Sequence, residues 1–288
     1  MDTAIFFIQV LNSVQYGLLL FLVASGLTLI FGIMGIINLA HGSFYMIGAY
    51  LAFSLTGLIG NFWLALAAGV VVAVLFGLAL EWLVMRFLYE RDHLYQVLLT
   101  YGLILIFEEC RSLLWGDDVH GVPVPPALAA SIPLTETMSY QVYRLAISAI
   151  CLGIAAGMYW LIQKTRLGMM IRAGSVNREM VQSLGINIGL LYRLVFALGV
   201  VLAALAGMLA APVSSVYPGM GGQVLIISFV VVVIGGIGSV KGALVAALLI
   251  GLADTFGKVL LPQIAGMVTY LLMAAILLWR PQGIFGKA

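Results

Sequence analysis

Apolar residues run through this chain in long blocks of about 20 positions, separated by short polar or glycine-rich interruptions. Such a block, coiled as a helix, crosses a hydrocarbon core of roughly 30 Å. Nine blocks fit this description, near residues 5–30, 36–58, 62–85, 95–114, 141–162, 191–212, 222–238, 242–260 and 264–279. The pattern therefore predicts an all-α polytopic membrane protein of eight to ten transmembrane helices, with nine preferred, forming a single domain over 1–288.

Composition agrees and narrows the reading. Hydrophobic residues make up 64% of the 288 positions and charged residues 8%, against about 25% charged in soluble domains. The start, Met1-Asp2-Thr3, has no basic region, so the first block is expected to remain as a span. Ten of the 13 basic residues share one side of a nine-span topology: Arg86, Arg91, Lys164, Arg166, Arg172, Arg178, Arg193, Lys241, Arg280 and Lys287. Basic loops stay in the cytoplasm, which puts the N-terminus outside and the C-terminus inside. The segment 115–140, with Asp117, Asp118 and Glu136, is then an extracytoplasmic loop. The net charge of +2 reports orientation and gives no reason to expect nucleic acid. Cys110 and Cys151 fall inside spans and are expected to pack there, with no disulfide or metal.

Polar residues interrupt the apolar blocks in two places. In "GIMGIINLAHGSFYMIGAY", Gly32, Gly35 and Gly42 surround Asn38, His41 and Ser43, which predicts a broken helix near 32–43. Interrupted backbone at membrane depth is tolerated only against protein or a water-lined path. Asn38 and His41 are therefore either satisfying the broken backbone or, with Ser43, lining a solute pathway. In "VVVIGGIGSVKGALVAALLIG", Lys241-Gly242 stands as His41-Gly42 stands in the first stretch. Paired broken spans point to a transport path. Two stripes of small residues, Gly199/Ala203/Gly207/Ala211 and Ala243/Ala247/Gly251, predict close helix packing. Glu108 and Glu109 with Arg111, and Asp254 with Lys258, have the spacing of internal ion pairs.

Residues 163–190 are too polar to span and too long for a plain connection. Val176, Met180 and Leu184 fall at i, i+4 and i+8, with Ser175 as a candidate N-cap and Gly185 as a C-terminal stop. The expectation is a cytoplasmic amphipathic helix over 175–185, flanked by Arg172, Asn177 and Arg178, that rests on lipid or enters a groove on a partner.

Four motifs, "GIMGIINLAHGSFYMIGAY", "RAGSVNREMVQSLGIN", "VIGGIGSVKGALVAALLIG" and "RPQGIFG", occur in one order along the chain. Together they resemble the shorter permease subunit of bacterial branched-chain amino acid ABC importers. The resemblance implies an inner-membrane permease that pairs with a second, homologous permease, two cytoplasmic ATPase subunits and an extracytoplasmic substrate-binding protein. It makes 172–187 the coupling segment, through Arg172, Val176, Asn177, Arg178, Met180, Leu184 and Gly185. Asp117 and Asp118 are the expected contacts of the binding protein. Ser43 stands where many relatives have Glu, which widens the substrate range to other amino acids, urea or amides, and organic acids. No G-x-x-x-x-G-K-[ST] phosphate loop occurs in the chain, so ATP and Mg are expected on the partner ATPases and no cofactor here. A secondary transporter or channel working without ATPases is the alternative, and a purely structural membrane subunit the third reading.

Overall fold

The computed structural model describes residues 3–89, 91–133 and 139–286. Eleven α-helices account for most of them: α1 Thr3–Met34, α2 His41–Ile59, α3 Phe62–Leu83, α4 His93–Trp115, α5 Val142–Lys164, α6 Arg166–Val176, α7 Arg178–Ser183, α8 Ile188–Ala210, α9 Met220–Gly235, α10 Val240–Leu260 and α11 Ala265–Trp279. A two-stranded antiparallel pair, Ser131–Pro133 with Ser139–Gln141, lies before α5. Nine of the helices correspond to the nine apolar blocks. Seven are long and apolar enough to cross a membrane by themselves. The other two are α4, which carries Glu108, Glu109 and Arg111, and α9, which has only 16 residues.

Beyond Tyr16, α1 is apolar on nearly all sides, and a helix of that kind belongs in the interior. It is the axis of the bundle, packed most extensively against α10 and α8 and then α9 and α5. With 32 residues it extends about 48 Å. We call the end where it starts the upper end and the end where it stops the lower end. α2 and α3 close around α8, whereas α4 and α11 lie on the periphery.

Small residues set how closely the axis is approached. A Cβ on Gly17 would lie 2.8 Å from the Ala247 carbonyl oxygen, one on Gly26 2.7 Å from that of Gly199, and one on Gly48 2.1 Å from that of Ala204. Both predicted stripes lie at such contacts, Gly199 against Gly26 and Ile30, and Gly251 against Ser13 and Gly17. Where lipid removes the hydrophobic drive between helices, close backbone approach supplies the packing energy.

The boundaries correct the expected breaks. Helix α1 continues through Gly32 to Met34, so the interruption is Gly35–Ala40 and the second span begins at His41 rather than at 36. Cys151 is buried in the core, but Cys110 is exposed on α4 and does not pack as expected. Glu136 and Lys287 lie outside the described residues.

Candidate functional site

A cavity of about 520 Å³ opens beside the upper half of α1. Its wall comes from six helices, α8 by its last residue Ala210, and the segment between α8 and α9. Gln9, Asn12, Gln15 and Tyr16 lie on α1, Tyr45 on α2, Arg144 on α5, Gln223 on α9, and Asp254 and Lys258 on α10. Toward the upper end the wall is polar and charged: Asp254 and Lys258 pair at 2.6 Å, and Arg144 donates to Asn12 Oδ1 at 3.0 Å. Lys258 also stands over the Tyr16 ring, 5.8 Å from its centre. Deeper, the wall becomes apolar through Leu19, Leu20, Val23, Met220, Val224 and Ile227. A chamber lined mostly by apolar groups, with a few convergent polar ones, is the general form of a small-molecule site.

The first break lies at the floor of this chamber. His41, the first residue of α2, places Nε2 3.0 Å from the carbonyl of Val23, a cavity-lining residue 11 positions before the end of α1. A carbonyl only accepts, so Nε2 carries the proton. The chain therefore climbs back along α1 through residues 35–40 and starts α2 midway along the bundle. Asn38 Oδ1 accepts the Ala40 N–H at 3.1 Å, and the Asn38 carbonyl accepts the His41 N–H at 3.3 Å. Asn38, His41 and Ser43 are all buried, and none of them lines the chamber. Tyr45, one turn further along α2, does.

The second break, Gly236–Ser239, is at the lower end. Its glycines have φ of 93° at Gly236 and 80° at Gly238, conformations that side chains resist. Ser239 caps α10 by accepting the Gly242 N–H at 3.0 Å. The last carbonyls of α9 are met by a remote segment: Ile284 N–H donates to Ile234 O at 2.8 Å and Phe285 N–H to Gly235 O at 3.2 Å. Lys241 stays exposed, 5.3 Å from the Tyr159 ring centre.

Also at the lower end, the expected single helix over 175–185 is two. Helix α6 is capped by Thr165 and runs to Val176, after which Asn177 adopts an extended conformation and caps α7 by accepting the Met180 N–H at 2.9 Å. Ser175 is no cap, because its hydroxyl donates to the Arg172 carbonyl. Gly185 does stop the helix, with φ of 84°; Gly185 N–H bonds to Gln182 O, and Ile186 N–H to Val181 O. Val176, Met180 and Leu184 are 77%, 63% and 73% exposed. Arg178 is exposed beside them, whereas Arg172 is half-buried and donates to the Ile162 carbonyl at the end of α5. Arg172 is thus an internal tie rather than a rim charge. A further tie escaped the sequence reading: Glu81, buried on α3, pairs with Arg193 of α8 at 2.9 Å and accepts from Tyr89.

On the upper side, Asp117 is held by Arg111 at 2.7 Å and Ser112 at 3.0 Å. Those bonds lower its carboxyl below the usual range and occupy it. Asp118 is exposed. Arg111 also pairs with Glu108 at 3.4 Å, as expected, while Glu109 faces outward.

Residues 9–277 match the family model described as "Branched-chain amino acid transport system / permease component". The chain belongs to this family. It is 31% identical to the high-affinity branched-chain amino acid transport system permease protein BraD of Pseudomonas aeruginosa, over 97% of this chain and 95% of that one. It is 30% identical to LivH of Escherichia coli, again over 97% and 95%, and 25% identical to the probable LivH of Methanocaldococcus jannaschii, over 96% and 91%. Among solved structures it is similar to PsaBC from Streptococcus pneumoniae in complex with Fab, at 9% identity over 93% of this chain and 89% of that one. The TM-score there is 0.49, too low to carry a conclusion. Membership makes the chain a multi-pass transport permease and not an enzyme. The four motifs of this permease now have physical content: two are the helix breaks, one is the α6–α7 segment, and "RPQGIFG" is the strap that caps α9.

Proposed function

We propose that this permease forms one half of an import path for branched-chain or related amino acids, with a second, homologous permease covering the open side of the chamber. The chamber carries the reading. A polar-mouthed hollow among membrane helices has to meet protein or water, because lipid cannot satisfy its groups. By the asymmetry of basic residues, the upper end faces outward from a bacterial inner membrane and the lower end faces the cytoplasm. An extracytoplasmic binding protein would then deliver solute at the mouth, with Asp118 and its neighbours as rim contacts that steer docking. Asn38, His41 and Ser43 act at one remove from the solute, holding the floor on which Tyr45 stands.

Energy enters from below. The exposed apolar side chains of Val176, Met180 and Leu184, with the exposed Arg178 among them, are suited to a groove on one of two ABC ATPase subunits, which bind ATP and Mg. Cysteines replacing Asn177 or Met180 are expected to cross-link to the ATPase in a nucleotide-dependent way, and Met180→Ala or Leu184→Ala to release it or uncouple uptake. Uptake by the reconstituted complex should require ATP and the binding protein. Free labelling of both cysteines in the assembled complex, with no cross-link, would leave the helix on lipid and reject the coupling.

A further inference from the structure

We propose that Asp254, Lys258 and Arg144 read the charged head group of a zwitterionic solute: the Asp254–Lys258 pair opens, Asp254 takes the solute's ammonium, and Lys258 with Arg144 takes its carboxylate. This rests on the chamber being the solute path.

The charges argue for it by their number and place. Among the described residues only three basic ones, Arg111, Arg144 and Lys258, lie outside the lower-end group, and two of them line this chamber. Charges near helix ends cost less than at the membrane centre, but the recessed Asp254 carboxylate still requires a cationic partner. The three groups sum to one excess positive charge; a zwitterion leaves that sum unchanged, but its carboxylate gains two cationic partners, Lys258 and Arg144.

The pair is also built to open. The Asp254 side chain is 16% exposed and that of Lys258 63%, so the carboxylate is recessed and the ammonium sits on a long stem at the mouth. A zwitterion replaces Lys258 on Asp254 with its own ammonium and returns a carboxylate to Lys258. One ion pair becomes two, and neither buried charge is stranded. Arg144 has five donors, one of them engaged by Asn12, and its planar fork matches a carboxylate.

Below the charges, Leu19, Leu20, Val23, Val224 and Ile227 form an apolar sleeve. A head group held at the mouth leaves an aliphatic side chain pointing toward the floor. Urea and simple amides bring no charge to exchange, and a plain organic anion brings no ammonium for Asp254, so Lys258 stays on Asp254 and Arg144 alone is left for the carboxylate. The chamber therefore favours a zwitterion with an apolar tail.

The test uses the permease reconstituted with its second permease, ATPases and binding protein, and reads leucine taken up per ATP hydrolysed. Gln223→Cys, in a Cys110→Ala, Cys151→Ala background, is treated with a charged, membrane-impermeant methanethiosulfonate; blocked uptake upholds the path. Intact uptake after full labelling sinks the path and this inference with it. Asp254→Asn and Lys258→Gln should each lower the ratio about tenfold, the scale of one lost charge-assisted contact. Lys258→Arg should retain most of it. The exposed position of Lys258 makes Lys258→Gln decisive even where Asp254→Asn fails to assemble. The charge swap, Asp254→Lys with Lys258→Asp, keeps the ion pair but moves the carboxylate to the mouth. Uptake should stay low in the swap. Recovery in the swap, or wild-type uptake in Lys258→Gln, with the Gln223→Cys block intact, would make the pair structural and overturn the inference alone.

Discussion

The two glycine-rich breaks, Gly35–His41 and Gly236–Lys241, look alike as sequence and share one contact in space. Each is followed, in the first turn of the next helix, by a glycine set directly against another glycine, Gly42 on Gly221 and Gly242 on Gly235. Beyond that they solve different problems. The first rises from the lower end at Gly35 to midway along the bundle at His41; its buried part is satisfied internally, the Ala40 N–H by Asn38 Oδ1, while the His41 ring donates to the Val23 carbonyl. The second lies at the lower end and is satisfied by main chain from the C-terminal strap. Depth decides which solution is needed: buried polar groups must find partners inside the protein, whereas those at an end can fall back on solvent.

The largest effects should come from what the two breaks share. A Cβ would lie 2.2 Å from the Gly221 oxygen at Gly42 and 1.9 Å from the Gly235 oxygen at Gly242. Gly42→Leu and Gly242→Leu should each cost about 3 kcal/mol through overpacking, read as a lower thermal midpoint of the purified complex. Gly222→Leu is the control, since nothing lies within 4 Å of its added Cβ. Equal losses at all three positions would mean that close approach is not what the glycines provide.

Next in size is His41→Leu. It removes the buried bond that ties the start of α2 to the Val23 carbonyl, together with the ring packing on Phe44, and should cost about 2 kcal/mol, with uptake falling because Tyr45 loses its anchor. Truncation after Arg280 removes the strap and frees the Ile234 and Gly235 carbonyls. Water can reach that end, so the net loss should be closer to about 1 kcal/mol. A truncation more damaging than His41→Leu, by thermal unfolding of both variants side by side, would break the contrast. Smallest should be Ser239→Ala, which removes one cap bond at the lower end for roughly 1 kcal/mol or less.

Much of the architecture was legible because hydropathy is a local property. The nine helices, the small-residue stripes and the left-handed stop at Gly185 follow from composition, spacing and the conformational freedom of glycine. The segment 175–185 departs from the expected single helix, and the reason is physical. Val176, Met180 and Leu184 keep a helical spacing on paper, but Asn177 leaves the helical region and its side chain caps a new helix. A capping bond outcompetes continued helix at such a residue, and periodicity does not report that choice.

Sequence by itself determined that the chain spans a membrane, roughly how often, which end carries the basic residues and which family it belongs to. Each of these depends on residue type and near neighbours. The tertiary structure alone decided where the chamber lies. Gln9 and Asn12, Arg144, Gln223, and Asp254 with Lys258 are scattered over four helices, and only the packing of α5, α9 and α10 around α1 brings them to one wall. It also decided that the last residues of the chain cap α9, some 50 positions earlier. Hydrogen bonds and chambers depend on distance in space, and in a bundle built on close glycine contacts that distance is set by helices far apart along the chain.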